Sequence, residues 1–137
     1  MPTGTVATTA RQTQEQSVKT LRKRITFANY ATTVTVGIIP AGASVIGGGI
    51  HVVTAFNSSG TDLADVGFIG STTNAAGYAS ALSMAAVGFI ALDDLATTAN
   101  IQQTVDTTVT VTPTQSVADA TAGVADVIIL YVQNNDG

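Results

Sequence analysis

The chain has 137 residues, 45% of them hydrophobic and 10% charged, with a formal net charge of −4, one histidine and no cysteine. That length suits one domain able to bury about two-thirds of its unfolded surface. The missing cysteines exclude a disulfide framework, a thiolate zinc site and a cysteine nucleophile.

The charges are segregated along the chain. All five basic residues, Arg11, Lys19, Arg22, Lys23 and Arg24, fall in the first 24 positions, which with Glu15 carry +4. The other eight acidic residues leave positions 25–137 at −8, without a lysine or arginine. Residues 1–20 show no sustained apolar period and are expected to form an extended N-terminal arm, with 21–137 as the folded domain. The start, Met1-Pro2-Thr3-Gly4, lacks the basic and apolar regions of a secretory signal, so synthesis and retention in a cytosol are expected.

From Leu21 onward short β-like segments alternate with turn signals. Arg22–Ala28 places Lys23, Ile25 and Phe27 on one face and Arg22, Arg24 and Thr26 on the other. Thr33–Ile39 sets Val34, Val36 and Ile38 against Thr33 and Thr35, ending at Pro40-Ala41-Gly42. Ser44–Phe56 is long for one strand, and Gly47-Gly48-Gly49 predicts a bulge or bend in it. Asn57-Ser58-Ser59-Gly60 reads as a hairpin-like connection to Leu63–Ile69. Thr72–Leu82 is the best candidate for a short helix, because alanine and leucine replace β-branched residues there.

Ala86–Leu92 reads as a strand ended by Asp93-Asp94, and the apolar run Ala79–Leu92 is too short for a bilayer, which needs roughly 20 apolar residues. Ile101–Thr112 is the clearest half-buried strand, with Val105, Val109 and Val111 facing one way, Asp106, Thr108, Thr110 and Thr112 the other, and Pro113 as its stop. Val124–Val132 is apolar on both faces, as a central strand should be. About seven or eight strands at this spacing predict an all-β, jelly-roll-like β-sandwich.

The inventory for chemistry is thin. His51 alone cannot build a histidine-rich metal centre, and a structural or interface role is expected for it. No G-x-S-x-G occurs, and the sole glutamate, Glu15, lies in the arm. Asp62 with Asp65, or Asp93 with Asp94, could supply oxygens to a calcium ion, but neither has EF-hand spacing and turn chemistry is the stronger reading. The glycine triplet is not followed by Gly-Lys-Ser/Thr and is no phosphate loop. The acidic domain and the lack of interleaved aromatics speak against nucleic acid as the target of Arg22-Lys23-Arg24. An acidic protein surface, including that of a sister subunit, fits better. No enzyme activity, cofactor or metal is expected.

The run Val36-Gly37-Ile38-Ile39-Pro40-Ala41-Gly42-Ala43, with Val53-Thr54-Ala55-Phe56-Asn57, Asp65-Val66-Gly67 and Asp119–Val127 through Tyr131-Val132, resembles the capsid decoration (cement) proteins of tailed bacteriophages. The resemblance implies a jelly-roll-like sandwich on the outside of an assembled head, a homo-oligomer (dimer or trimer) that bridges major capsid protein subunits. No catalytic residue comes with it. The arm cations lie outside the matched pattern; partner binding by Arg11, Lys19, Arg22, Lys23 and Arg24 follows from their charge alone. Another virion role, in a tail, connector or fibre base, is the alternative. A lectin-like sandwich ranks lower because the chain has no tryptophan and three tyrosines, which leaves few platforms for a sugar.

Overall fold

A computed structural model of the chain describes residues 17–133. Residues 1–16 of the proposed arm, including Arg11, lie outside the described residues. Eight strands follow: β1 (Val18–Thr26), β2 (Val34–Ile39), β3 (Ser44–Thr54), β4 (Asp62–Ile69), β5 (Thr73–Ser83), β6 (Gly88–Ala91), β7 (Thr107–Gln115) and β8 (Val124–Val132), with one short helix, α1 (Thr98–Ile101), before β7. They form two four-stranded antiparallel sheets, β1-β8-β3-β6 and β2-β7-β4-β5. Only β4 and β5 are consecutive neighbours in one sheet; every other connection changes sheet. This is the strand order of a jelly roll, as expected from the sequence.

The inner faces supply the core. Ile25, Ile50, Val52, Val127 and Ile129 from one sheet meet Val66, Phe68, Tyr78, Val109 and Val111 from the other, all essentially inaccessible to solvent. The Phe68 and Tyr78 rings pack at a tilt with centroids 5.1 Å apart, a favoured aromatic geometry. Burial pushes the Tyr78 phenol up to about 12.

Several elements depart from the sequence reading for identifiable reasons. Thr72–Leu82 is not helical: Thr73–Ser83 is strand β5, paired with β4. Its irregularity explains the weak strand pattern. Val66 pairs with Ala79 and Phe68 with Asn74, so Ala75–Tyr78 bulge opposite the single residue Gly67. A Cβ on Gly67 would lie 2.1 Å from Asn74 O, so only glycine admits this approach. Asp65 Oδ1 pins a second irregularity by accepting the Ala81 N–H at 2.7 Å, where Ala81 has φ 55°.

In β2 a bulge between Thr35 and Gly37 breaks the alternation. Val36 and Ile39 point inward, whereas Ile38, expected beside Val36, is 59% exposed. The predicted bulge at the glycine triplet is present between Val45 and Gly47. Gly48 has φ +127°, and a Cβ there would lie 2.2 Å from Ile128 O. The Asn57–Gly60 segment is a crossover between sheets rather than a hairpin. Asn57 Oδ1 accepts from Thr121 N (2.8 Å) and Ala122 N (2.9 Å), tying this crossover to the loop before β8.

Val105 precedes β7 and is exposed, and Pro113 lies within the strand rather than ending it. Pro113 O accepts from Ala31 N at 2.9 Å. Its backbone polar edge therefore faces past the end of β2, whose ladder with β7 stops at Val34–Val111, so the missing N–H costs no ladder bond.

Candidate functional site

The sequence-predicted cations converge on one edge of the β1-β8-β3-β6 sheet. β1 is an edge strand paired along its whole length with β8. Strand alternation sends Leu21 and Ile25 inward and Arg22 and Arg24 to the outer face. Lys19 and Lys23 share the register of the inward residues at this edge, with Lys23 exposed, and lysine on an edge strand discourages pairing with another chain. Val18, Lys19 and Thr20, read from sequence as part of the arm, lie in this strand.

β8 brings Asp126 opposite Arg24 and Ile128 opposite Arg22. Arg24 donates through Nε to Asp126 Oδ1 (2.9 Å) and through Nη2 to Oδ2 (3.1 Å). Arg22 Nη2 donates to Oδ2 at 2.7 Å. Asp126 is buried beneath the two guanidinium groups, whose side chains are 53% and 59% exposed. The Arg24 hydrogen bonds, opposed by desolvation and aided by Arg22, hold the Asp126 carboxyl down at about 2. Arg24 is in turn raised, chiefly by its hydrogen bond to Asp126.

The row continues across the sheet: Asp126 pairs with His51 on β3, and His51 with Phe89 on β6. Phe89 is 59% exposed, and its ring lies over Gly49, where an added Cβ would fall 2.7 Å from Phe89 Cζ and 2.1 Å from Ile90 O. Half-buried Ile128 and Leu130 and exposed Ile46 extend the face. The surface thus combines arginine donors, a histidine and a flat apolar floor, a composition suited to protein contact.

The opposite outer face differs. β7 presents Thr108, Thr112 and Thr114, with Thr110 on the same side but buried, flanked by Thr33, Thr35 and Asp65. Ile38 and Ile69 bracket Thr108 at one end, and no lysine or arginine occurs on those strands.

Asp62 and Asp65 do not form a shared site, since Asp62 is buried and Asp65 faces outward to hold the β5 irregularity. Among the described residues, no three histidine or acidic side chains gather as a metal site. No described helix is long and apolar enough to cross a membrane. Sequence reasoning singled out Arg22, Arg24 and His51 but missed Asp126 and Phe89. A lone acid within the apolar run Val124–Val132 was the available signal for Asp126.

No protein-family model matches the chain, and no curated protein sequence matches it. Its fold is similar to a chain of the cyanophage Pam1 capsid asymmetric unit, with TM-score 0.69 and 21% identity over 91% of each chain. It is also similar to a chain of the capsid of Ralstonia phage GP4, with TM-score 0.59 and 17% identity over 92% of this chain and 90% of that one.

Proposed function

We propose that the protein is a non-enzymatic capsid decoration protein that binds the outer surface of a phage head and, as a dimer or trimer, bridges neighbouring major capsid protein subunits. The observation that carries this reading is the near full-length likeness to a chain of the Pam1 capsid asymmetric unit, over 91% of both chains. The sequence resemblance to decoration proteins points the same way. The outer β1-β8-β3-β6 face is the proposed contact surface. Arg22 and Arg24 spend some guanidinium donors on Asp126 and keep others for acceptors on a partner. Lys19, Lys23 and, from the N-terminal segment, Arg11 add positive charge. Many weak copies braced against one shell stiffen it by multivalency.

Co-sedimentation with heads assembled without the protein tests this reading. Saturable binding in high copy, with a denser and more heat-resistant head, is expected; no binding at low ionic strength refutes it. Labelling on intact particles separates a head location from the tail, connector or fibre base.

A further inference from the structure

The end of the sandwich where β7 finishes and β4 and β8 begin holds a feature that the outer-face reading leaves unused. A small cleft is lined there by Phe27, Tyr30, Phe56, Asp62, Met84 and Gln115, among others. Asp62 is 2% exposed. Its Oδ2 accepts from Ser58 N at 3.2 Å, whereas Oδ1 is buried without a hydrogen-bond partner among the described residues. The neighbouring acceptors are occupied: Thr26 Oγ1 takes the Ala28 N–H and Gln115 Oε1 the Ala120 N–H.

A buried carboxylate oxygen without a donor is costly unless something supplies one. The body cannot supply it as a cation, because residues 25–137 contain no lysine or arginine. Arg22 and Arg24 are held on Asp126, and His51 lies on the outer face of β3. The walls suit a cation, since aromatic faces attract ammonium and guanidinium groups, and Phe27 and Tyr30 are 40% and 41% exposed.

An exposed apolar residue lies two positions beyond the cleft-lining Gln115. Val117, 88% exposed, has φ 71°, a conformation that β-branched residues rarely adopt. Bonds on either side fix it: Ser116 N donates to Thr61 O (3.0 Å) and Ala118 N to Ser59 Oγ (3.1 Å). The same crossover that positions Asp62 thus holds a valine outward on a strained backbone, as expected where strain serves contact.

We infer that this end of the sandwich receives a basic side chain, a lysine ammonium or arginine guanidinium presented by a protein partner. Asp62 Oδ1 is the acceptor, Phe27 and Tyr30 are the walls and Val117, outside the cleft lining, is a second contact for the same partner. That the partner is a head subunit rests on the function proposed above; the cation site does not.

Titration with n-propylammonium, followed by NMR at the Met84 methyl and the Phe27 and Tyr30 rings, tests the site directly. Saturable shifts are expected, with n-propanol, the neutral analogue, producing none at the same concentrations. Asp62→Asn should weaken the ammonium response at least tenfold. Equal responses to amine and alcohol, or no response to either, would overturn the site and leave Oδ1 to a bound water or a proton. In head co-sedimentation, Asp62→Asn and Val117→Ser should each bind at least tenfold more weakly than the natural chain. Full binding by both variants overturns this inference while the decoration reading stands, whereas a natural chain that never binds heads defeats that reading and leaves the titration to judge the site. Arg11→Ala without heads should leave the Met84 signal unchanged; a shift would assign the cation to the protein's own N-terminal segment and overturn the head partner.

Discussion

Removing both arginines above Asp126 should destabilise the protein by more than the two single substitutions together. Arg22→Ala deletes one hydrogen bond from a largely exposed side chain and should cost about 0.5–1 kcal/mol. Arg24→Ala removes the bidentate pair that dominates the Asp126 shift and should cost more than Arg22→Ala. In either single variant the carboxylate keeps one cation. The double variant leaves a buried charge unpaired, which costs about 3–5 kcal/mol in comparable settings; the low end is expected, since losing both side chains also opens Asp126 to water. The coupling then appears as a double-variant loss larger than the two single losses added together. The pH dependence has a definite sign: Asp126 is depressed in the folded state, so its contribution is full above about pH 4 and is lost as pH falls toward about 2. The shift sets a ceiling of about 2 kcal/mol, reduced to about 1 because both arginines stand more than half in solvent. Urea denaturation of the four proteins of this cycle, and of Asp126→Asn, at neutral and acid pH measures both quantities. A strictly additive double variant, or an Asp126→Asn profile parallel to the natural one across that acid window, would refute the reasoning.

Other substitutions read the backbone directly. Gly49→Ala should cost about 1–3 kcal/mol in thermal or urea melts, because its Cβ meets Ile90 O and the Phe89 ring. Gly47→Ala, two residues away with nothing within 4 Å of the new Cβ, should be neutral or gain up to about 1 kcal/mol. Val117→Gly should leave stability unchanged or raise it by about 1 kcal/mol, since relief of the left-handed strain offsets glycine's entropy; a marked loss would show that the valine is not strained. Tyr78 retains its proton in the folded state up to about pH 12. The unfolded chain ionises near pH 10, so stability should fall as pH rises from about 10 toward 12, and Tyr78→Phe should remove that part of the alkaline decline.

The fold class was legible because alternation and turn chemistry are local. Thr108 and Thr112 do face away from Val109 and Val111, although Thr110 between them is buried, and the glycine triplet does mark a bulge. What escaped is long-range. The alanines of β5 favour a helix locally, and it is the pairing with β4, with Gly67 making room for the bulge at Asn74–Ala75, that holds them extended. Pro113 stops strands by rule, yet it is tolerated because β2 happens to end beside it. Ile38 leaves the core through one extra residue at Val36, a shift of a single position that no window average detects. The site was half legible: the arginines stand out as charges, but their partner lies about a hundred positions away, on the far end of the chain.

The two outer faces also make opposite predictions about salt, which decides between them as the contact surface. The β1-β8-β3-β6 face carries exposed guanidinium groups, whereas the threonine face carries Asp65 and no cation. If the arginine face meets an acidic partner, head binding should weaken steadily between 0.05 and 1 M salt, as the screening length shrinks from above ~10 Å to ~3 Å. Phe89→Ala should weaken it further with little loss of stability, because the ring is 59% exposed and its removal leaves the core intact. Ile69→Lys, placed on the threonine face at a residue that is 50% exposed, should leave binding unchanged. Salt-insensitive binding that survives Phe89→Ala and is abolished by Ile69→Lys would transfer the contact to the threonine face, and would leave Arg22 and Arg24 with the sole task of neutralising the acid that the fold buries beneath them.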